Sequence, residues 1–456
     1  MRRVVKVSRI RIIITIIVVV LTTLLTGCTG KEPNEIAYVV ALGIDSTDDD
    51  NYKITIQYAN TTQISGGASE SGGKAGSEIV DNVTIEAPNI YAGVGLANNI
   101  VSKSFSMSHA KLIVFSKEIA EKGVKDMIET LVRSEEIRPD VFIAVANTTA
   151  NDYLTSVNPE MEVNPAQYYQ LIYQKNQLVG IPDGQLREFF TGLYTDNYDS
   201  ILPVAGVIEG SGSNRQNDDK GQSKDGQNEG SEGSSESLDS FESKSSDDKD
   251  ENEKEKDAEK NTSKYEYDIK NYVGGETAIE KKNKAEAIGA AVFEKDKMVG
   301  ELGEVETEIC KILKGDYTYS YLTYYNNDTP DIPITVKTTQ QKKPKYKIDT
   351  DKKTVDIELY IESDLYSLPA DYNVENKIED FERDVANYTS SACTEFINNF
   401  TKKYNSDILK LNEKVKYKFL TNNQYNWFKK NVGWSEYKFS VCTNFKVRRT
   451  GLIVRE

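Results

Sequence analysis

The chain has 456 residues and carries 72 acidic against 56 basic side chains, a formal net charge of −16. That balance argues against nucleic acid and anionic lipid as general partners, while the length allows two or three domains. One histidine, His109, and four widely spaced cysteines leave no nucleophile–histidine pair, zinc site or disulfide framework legible, so no catalytic residue, metal ligand or cofactor is expected.

The chain opens with Arg2, Arg3, Lys6, Arg9 and Arg11, followed by an apolar run from Ile12 to Leu25. The run has the length of a signal-peptide core and falls short of the roughly 20 residues that span a bilayer as a helix. Leu25, Thr26 and Gly27 then lead into Cys28. This order resembles a bacterial lipoprotein signal. The resemblance implies cleavage before Cys28, a diacylglycerol thioether on its thiol, and anchoring to the outer face of a membrane without crossing it.

Beyond the leader, EIAYVVALGID, YKITIQYA and EIVDNVTIEA read as neighbouring strands, the middle one by strict alternation of Ile54, Ile56 and Tyr58 with polar residues. A helix is predicted from Asn89 to about Ser102, a strand over Lys111 to Phe115, one helical stretch from Ser116 to Ser134, and a strand in VFIAVAN. A more polar helical segment covers Pro165 to Tyr194. From Glu209 to Lys264 large apolar residues almost vanish, which predicts a disordered acidic linker because little surface can be buried to offset ordering. After it, AIGAAVFEKDKMVGELG reads as strand, turn and strand, and EVETEICKIL as a short helix. TVDIELYIES is a further strand. Ile378, Phe381, Val385, Tyr388, Ala392, Phe396 and Phe400 make the stripe of a long core helix, and SEYKFSVCTNFKVR makes a final strand. Interleaved strands and helices give an α+β (mixed α/β) class with two or three sheet-plus-helix domains. The boundaries are a signal peptide at 1–27, an N-terminal region at 28–208, the linker at 209–264 and a C-terminal domain at 265–456.

Candidate chemistry is thin. His109, in SMSHAKLIVFS, stands at the entrance to an apolar strand, the place of a structural histidine. GVGLAN, Gly93 to Asn98, has two of the three glycines of a dinucleotide loop without a convincing βαβ unit around it. YTYSYLTYY, Tyr317 to Tyr325, could stack on sugars or peptides, but a strand with tyrosines on its wet face accounts for it better.

Four stretches carry a family resemblance: EIAYVVALGID; SHAKLIVFSKEIAEKGVKDMIETLVRSEEIRPDVFIAVAN, with His109, Arg133 and Arg138; AVFEKDKMVGELGEVETEICKILKG; and FKVRRTGLI, with Arg449, Thr450 and Gly451 at its centre. In this order the chain resembles the Ger(x)C family, the C subunits of spore germinant receptors in endospore-forming bacteria. It departs from the family pattern at Thr29 and Gly30, where Trp-Asp is usual, at Ser108, where glycine is usual, and in its long linker, which suggests two loosely tethered halves. The resemblance implies a non-catalytic lipoprotein on the outer face of the spore inner membrane, in complex with the integral membrane A and B subunits. It attributes nutrient recognition to those subunits and not clearly to this one. His109, Arg133, Arg138, Arg448 and Arg449 are the candidate partner contacts. The alternative is an extracytoplasmic solute- or wall-binding lipoprotein.

Overall fold

The computed structural model describes residues 13–17, 35–49, 51–59, 80–158, 164–174, 180–195, 197–208, 271–277, 283–325, 333–367 and 377–450. Cys28 and the 209–264 stretch lie outside the described residues. Among them, nine strands make one sheet: β1 (Ile36–Ser46), β2 (Tyr52–Ala59), β3 (Val80–Ala87), β4 (Ser104–Ser106), β5 (Leu112–Ser116), β6 (Phe142–Ala146), β7 (Ile201–Val207), β8 (Ala285–Glu294) and β9 (Lys297–Leu302). The order is β3-β2-β1-β5-β6-β7-β8-β9, with β4 beside the start of β1. Strands β1, β5, β6 and β7 are parallel. LIVFS and FIAVA are buried at every position, as strands covered on both faces must be. One face packs Ile44, Ile113, Phe115, Ile143 and Phe293; the other packs Leu112, Val114, Phe142, Tyr153 and Tyr173.

The connecting helices are α1 (Ile90–Ala97), α2 (Lys117–Lys122), α3 (Lys125–Val132), α4 (Ala150–Ser156), α5 (Pro165–Gln174) and α6 (Leu186–Thr195). Three depart from expectation. The helix capped by Asn89 stops at Ala97, because the Asn98 side chain accepts from the Phe105 N–H at 2.8 Å and redirects the chain. The stretch after Ser116 is two helices, broken at Gly123 (φ 122°), beyond which the Val124 N–H bonds the Asp296 carbonyl at 3.0 Å, in the β8–β9 turn. The segment from Pro165 to Tyr194 is likewise two helices, because the backbone before α6 leaves the helical path to bridge Gln185 with Phe142 of β6. Gly93 of GVGLAN lies inside α1 against the Ile54 side chain, a helix–sheet contact and not a phosphate loop.

The loose tethering expected of the two halves is corrected by the pairing of β7 with β8. These strands run antiparallel from Ile201↔Val292 to Val207↔Ala285, so the first strands after the insert complete the sheet begun before it. The junction is close. A Cβ on Gly206 would come within 2.0 Å of the Gly274 carbonyl carbon, Asn147 Nδ2 donates to the Gly274 carbonyl at 2.5 Å, and the Ile208 N–H donates to the Lys284 carbonyl at 2.9 Å. The described residues on both sides of the insert belong to one compact unit.

A second sheet of five strands, among the described residues, contains β10 (Tyr319–Tyr325), β11 (Pro333–Gln340), β12 (Lys345–Asp349), β13 (Thr354–Ser367) and β14 (Lys438–Arg449). Its helices are α7 (Glu304–Lys314), α8 (Ile378–Lys403), α9 (Leu411–Val415) and α10 (Asn422–Asn431). β13 pairs antiparallel with β11 and β12 on one side and parallel with β14 on the other. The apolar stripe of α8 is buried at Phe381, Val385, Tyr388, Phe396 and Phe400. Tyr321 is exposed and Tyr319 half-buried, whereas Tyr317 and Tyr324 are buried, so the tyrosine run divides between a wet face and the core.

β14 lies along α8, and polar side chains of that helix take the place of a neighbouring strand. Asn398 accepts from the Phe439 N–H at 3.1 Å and donates to its carbonyl at 3.0 Å. Thr394 accepts from Val441 at 3.0 Å, Ser390 from Thr443 at 2.9 Å, and Glu382 from Val447 at 2.8 Å. Spacing by four residues along the helix matches spacing by two along the strand, and covering an edge in this way removes a template for aggregation. The series passes over Phe445, where the helix offers Ala386, a side chain without an acceptor. Ala386→Ser should therefore add a rung and raise unfolding stability by about 1 kcal/mol, and Asn398→Ala should lower it by about 1–3 kcal/mol. Denaturant midpoints at unchanged slope would measure both.

Candidate partner-contact surfaces

His109 ends a short 3₁₀ turn, Met107–His109, whose Met107 is buried. The Met107 N–H donates to Glu136 Oε2 at 2.7 Å, tying this turn to the loop after α3. His109 itself is exposed, its ring edge-on to Tyr38 with centroids 4.8 Å apart. Arg133 caps α3 and pairs with Glu129 at 3.2 Å. Arg138 grips Asp140 through two bonds, 2.9 and 3.1 Å, and its guanidinium holds the Asp140 carboxyl below the usual carboxylate range. Glu136 thus links the turn of His109 to the loop that bears Arg138, while both arginines remain at the surface with acidic neighbours of their own.

Arg448 and Arg449 are elsewhere, at the end of β14 in the second sheet. Phe439, Val441, Thr443 and Phe445 are buried in strict alternation with exposed Ser440, Cys442, Asn444 and Lys446. Phe445 is buried and Val447 half-buried, both on the inward face. The register shifts here, the single step from Ser363 to Asp364 of β13 facing the two steps from Val447 to Arg449, so β14 bulges at Arg448 and both arginines are exposed. Arg448 forms an ion pair with Glu362 at 3.1 Å. Arg449, opposite Asp364 in the register, makes no ion pair among the described residues. The two arginines therefore have different settings, one engaged within the fold and the other open.

A polar cleft that sequence reasoning missed lies where the β8–β9 turn meets the chain after α8. It has a volume of about 530 Å³ and is lined by Asp199, Glu294, Tyr404, Asp407, Lys429 and Trp434 among others. Asp407 accepts from the Leu411 and Asn412 N–H groups, both at 2.8 Å, and its own N–H donates to Asp199 at 2.8 Å. Lys410, in the left-handed region (φ 57°), lets the chain double back to make those bonds. No local motif marks the site, since neither a lysine at positive φ nor an aspartate reaching forward four and five residues has a one-dimensional signature. Burial pushes the Asp407 carboxyl up to about 7, against the opposing pull of the Asn412 and Leu411 N–H groups. The folded state thus holds this proton at pH values where the unfolded chain has lost it. The stabilising contribution is complete below about pH 4 and disappears as pH rises through about 7. Thermal melts should show wild type losing stability between about pH 4 and 7, and Asp407→Asn should shrink that loss; an unchanged slope would contradict the assignment.

Cys310 and Cys393 are buried, and burial pushes both thiols up to about 12, away from nucleophilic use. Among the described residues, no cluster of His, Cys, Asp or Glu is arranged to hold a metal ion.

Comparison with known proteins gives the family. Residues 30–207 match the family described as "Spore germination protein N-terminal domain", and residues 288–451 match "Spore germination B3/ GerAC like, C-terminal". The chain is 26% identical over 174 residues to Spore germination protein KC of Bacillus subtilis (strain 168), covering 35% of this chain and 42% of that relative. It is 26% identical over 148 residues to Spore germination protein B3 of the same organism, covering 30% and 36%. The aligned stretches span less than half the length of either relative. The crystal structure of the GerBC protein overlays with a TM-score of 0.47 and 15% identity, covering 89% of this chain and 96% of that one.

Proposed function

The chain belongs to the Ger(x)C family of spore germination proteins, and from that premise we propose that it is the non-catalytic C subunit of a nutrient germinant receptor. The observation that carries this reading is the presence of both family regions, in order, on either side of the insert. Among the described residues no helix is long and apolar enough to cross a membrane. In this reading, attachment to the outer face of the spore inner membrane falls to a lipid on Cys28, and integral membrane A and B subunits are the partners. Nutrient recognition is left to those subunits. The signal peptide at 1–27 and the acidic linker at 209–264 belong to the same proposal.

His109, Arg133, Arg138 and Arg449 are the contacts we assign to partners, on two separate surfaces. Arg448 is assigned chiefly to the fold, through Glu362. Arg449→Ala should weaken co-purification of the membrane subunits and leave stability unchanged, whereas Arg448→Ala should lower unfolding stability slightly, by about 0–1 kcal/mol for an exposed pair. Deleting the gene should abolish the response of spores to one nutrient class and leave germination by receptor-independent routes intact. Unaltered responses to every nutrient, with no redundant receptor present, would reject the assignment. Cys28→Ala should leave the precursor uncleaved or mislocalised, and mass spectrometry of the wild-type N-terminus should find Cys28 acylated.

A further inference from the structure

The overall charge of −16 conceals a local reversal. Between residues 410 and 431 stand Lys410, Lys414, Lys416, Lys418, Lys429 and Lys430 against the single acid Glu413, and α10 itself contains no acid. Some of these cations serve the fold: Lys410 pairs with Glu188, and Lys414 donates to the Leu409 carbonyl at 2.6 Å. Lys416 and Lys430 are exposed and have no carboxylate partner among the described residues.

The same stretch bears large apolar side chains open to solvent. Leu420 is 95% exposed, Tyr417 78% and Trp427 63%. Their exposure is built in, not a frayed end. Phe419 packs on Tyr425 at 5.9 Å and Phe428 at 5.0 Å, which pins the 416–420 turn against the buried face of α10. Leu420 lies just outside the helix, next to the N-cap Thr421, while Trp427 and Lys430 stand three residues apart on α10 and so neighbour one another on its surface.

We propose that this face, Tyr417, Leu420 and Trp427 framed by Lys416 and Lys430, docks on an anionic lipid surface. Tryptophan and tyrosine settle at the headgroup level of a bilayer, where one end of the ring is wet and the other apolar, and a leucine beside them reaches the acyl boundary. Lysines next to such residues are drawn to anionic headgroups. Lysine is depleted at the cores of protein–protein interfaces, so Lys416 beside Tyr417 and Lys430 one turn from Trp427 favour lipid over protein as occupant. The acidic remainder of the chain would be repelled by the same surface, which orients the molecule with α10 downward. The inference does not rest on the receptor reading or on the lipid at Cys28.

Trp427 and Trp434 are the two tryptophans of the chain, and Trp434 is buried and donates to Asn412 at 3.2 Å. The full chain is therefore placed on vesicles with brominated acyl chains, made of mixed phosphatidylglycerol and phosphatidylcholine or of phosphatidylcholine alone. Wild type is compared with Trp427→Phe, a surface change that spares the fold, so that the difference reports position 427. We expect this component to shift blue and lose about half its intensity on the anionic vesicles only. Lys416→Glu with Lys430→Glu should abolish the difference or weaken it about tenfold, with circular dichroism unchanged. Emission at 427 that stays water-like and unquenched on both vesicles would overturn the proposal. So would shielding of Trp427 that arises only when integral membrane proteins are present, since the occupant would then be protein.

Discussion

The antiparallel pairing of β7 with β8 is the constraint on which the rest of this structure depends. It closes a sheet across an insert, and it works only because backbone meets backbone: Gly206 leaves room for Gly274, and Asn147 fills the remaining gap with a hydrogen bond. Glu286, buried on β8, accepts from the Gly275 N–H and the Thr277 hydroxyl and so fixes the returning chain. Loop-closure entropy rises only logarithmically with length, by about 0.6 kcal/mol for each doubling, so a long insert between such joined ends is tolerated. The two family regions meet at this insert, yet the fold does not divide there.

Further consequences follow from the β8–β9 hairpin. Its turn receives the Val124 N–H that ends α2 and α3 as one helix, and the Lys295 N–H donates to Asp199 at 2.8 Å at the cleft. Helix α7 starts just beyond β9, with Glu306 accepting from the Gly303 N–H at 3.0 Å, and leads directly into the second sheet. That sheet is then guarded at β14 by the polar side chains of α8. The exposed arginines, the cleft and the basic aromatic face of α10 are consequently carried by one body.

Legibility followed the range of the interactions. The stripe on α8 and the alternation in β14 were readable because each is set by its own period, and LIVFS and FIAVA because each is a short unbroken apolar run. The helix starts at Asn89 and Ser116 were readable because a capping side chain acts within one turn of its own position. The break at Gly123 was not, since a lone glycine in an amphipathic run is usually absorbed, and here the decisive partner, Asp296, lies far along the chain. Membership of β8 and β9 in the first sheet was hidden behind the insert. His109, Arg133, Arg138, Arg448 and Arg449 were reached through resemblance, and geometry separates Arg448, held by Glu362, from Arg449. The face around Trp427 escaped notice because a chain-wide charge sum averages it away, and Asp407 because its bonds depend on a reversal at Lys410.

The claim that both halves share one cooperative unit is tested most directly by a protease cut inside residues 210–270, followed by size-exclusion chromatography and calorimetry without denaturant. The account predicts that the two fragments remain associated, held by β7 against β8, and that the melting of the first sheet requires both. Separation into two independently folded pieces, each with its own transition, would contradict it.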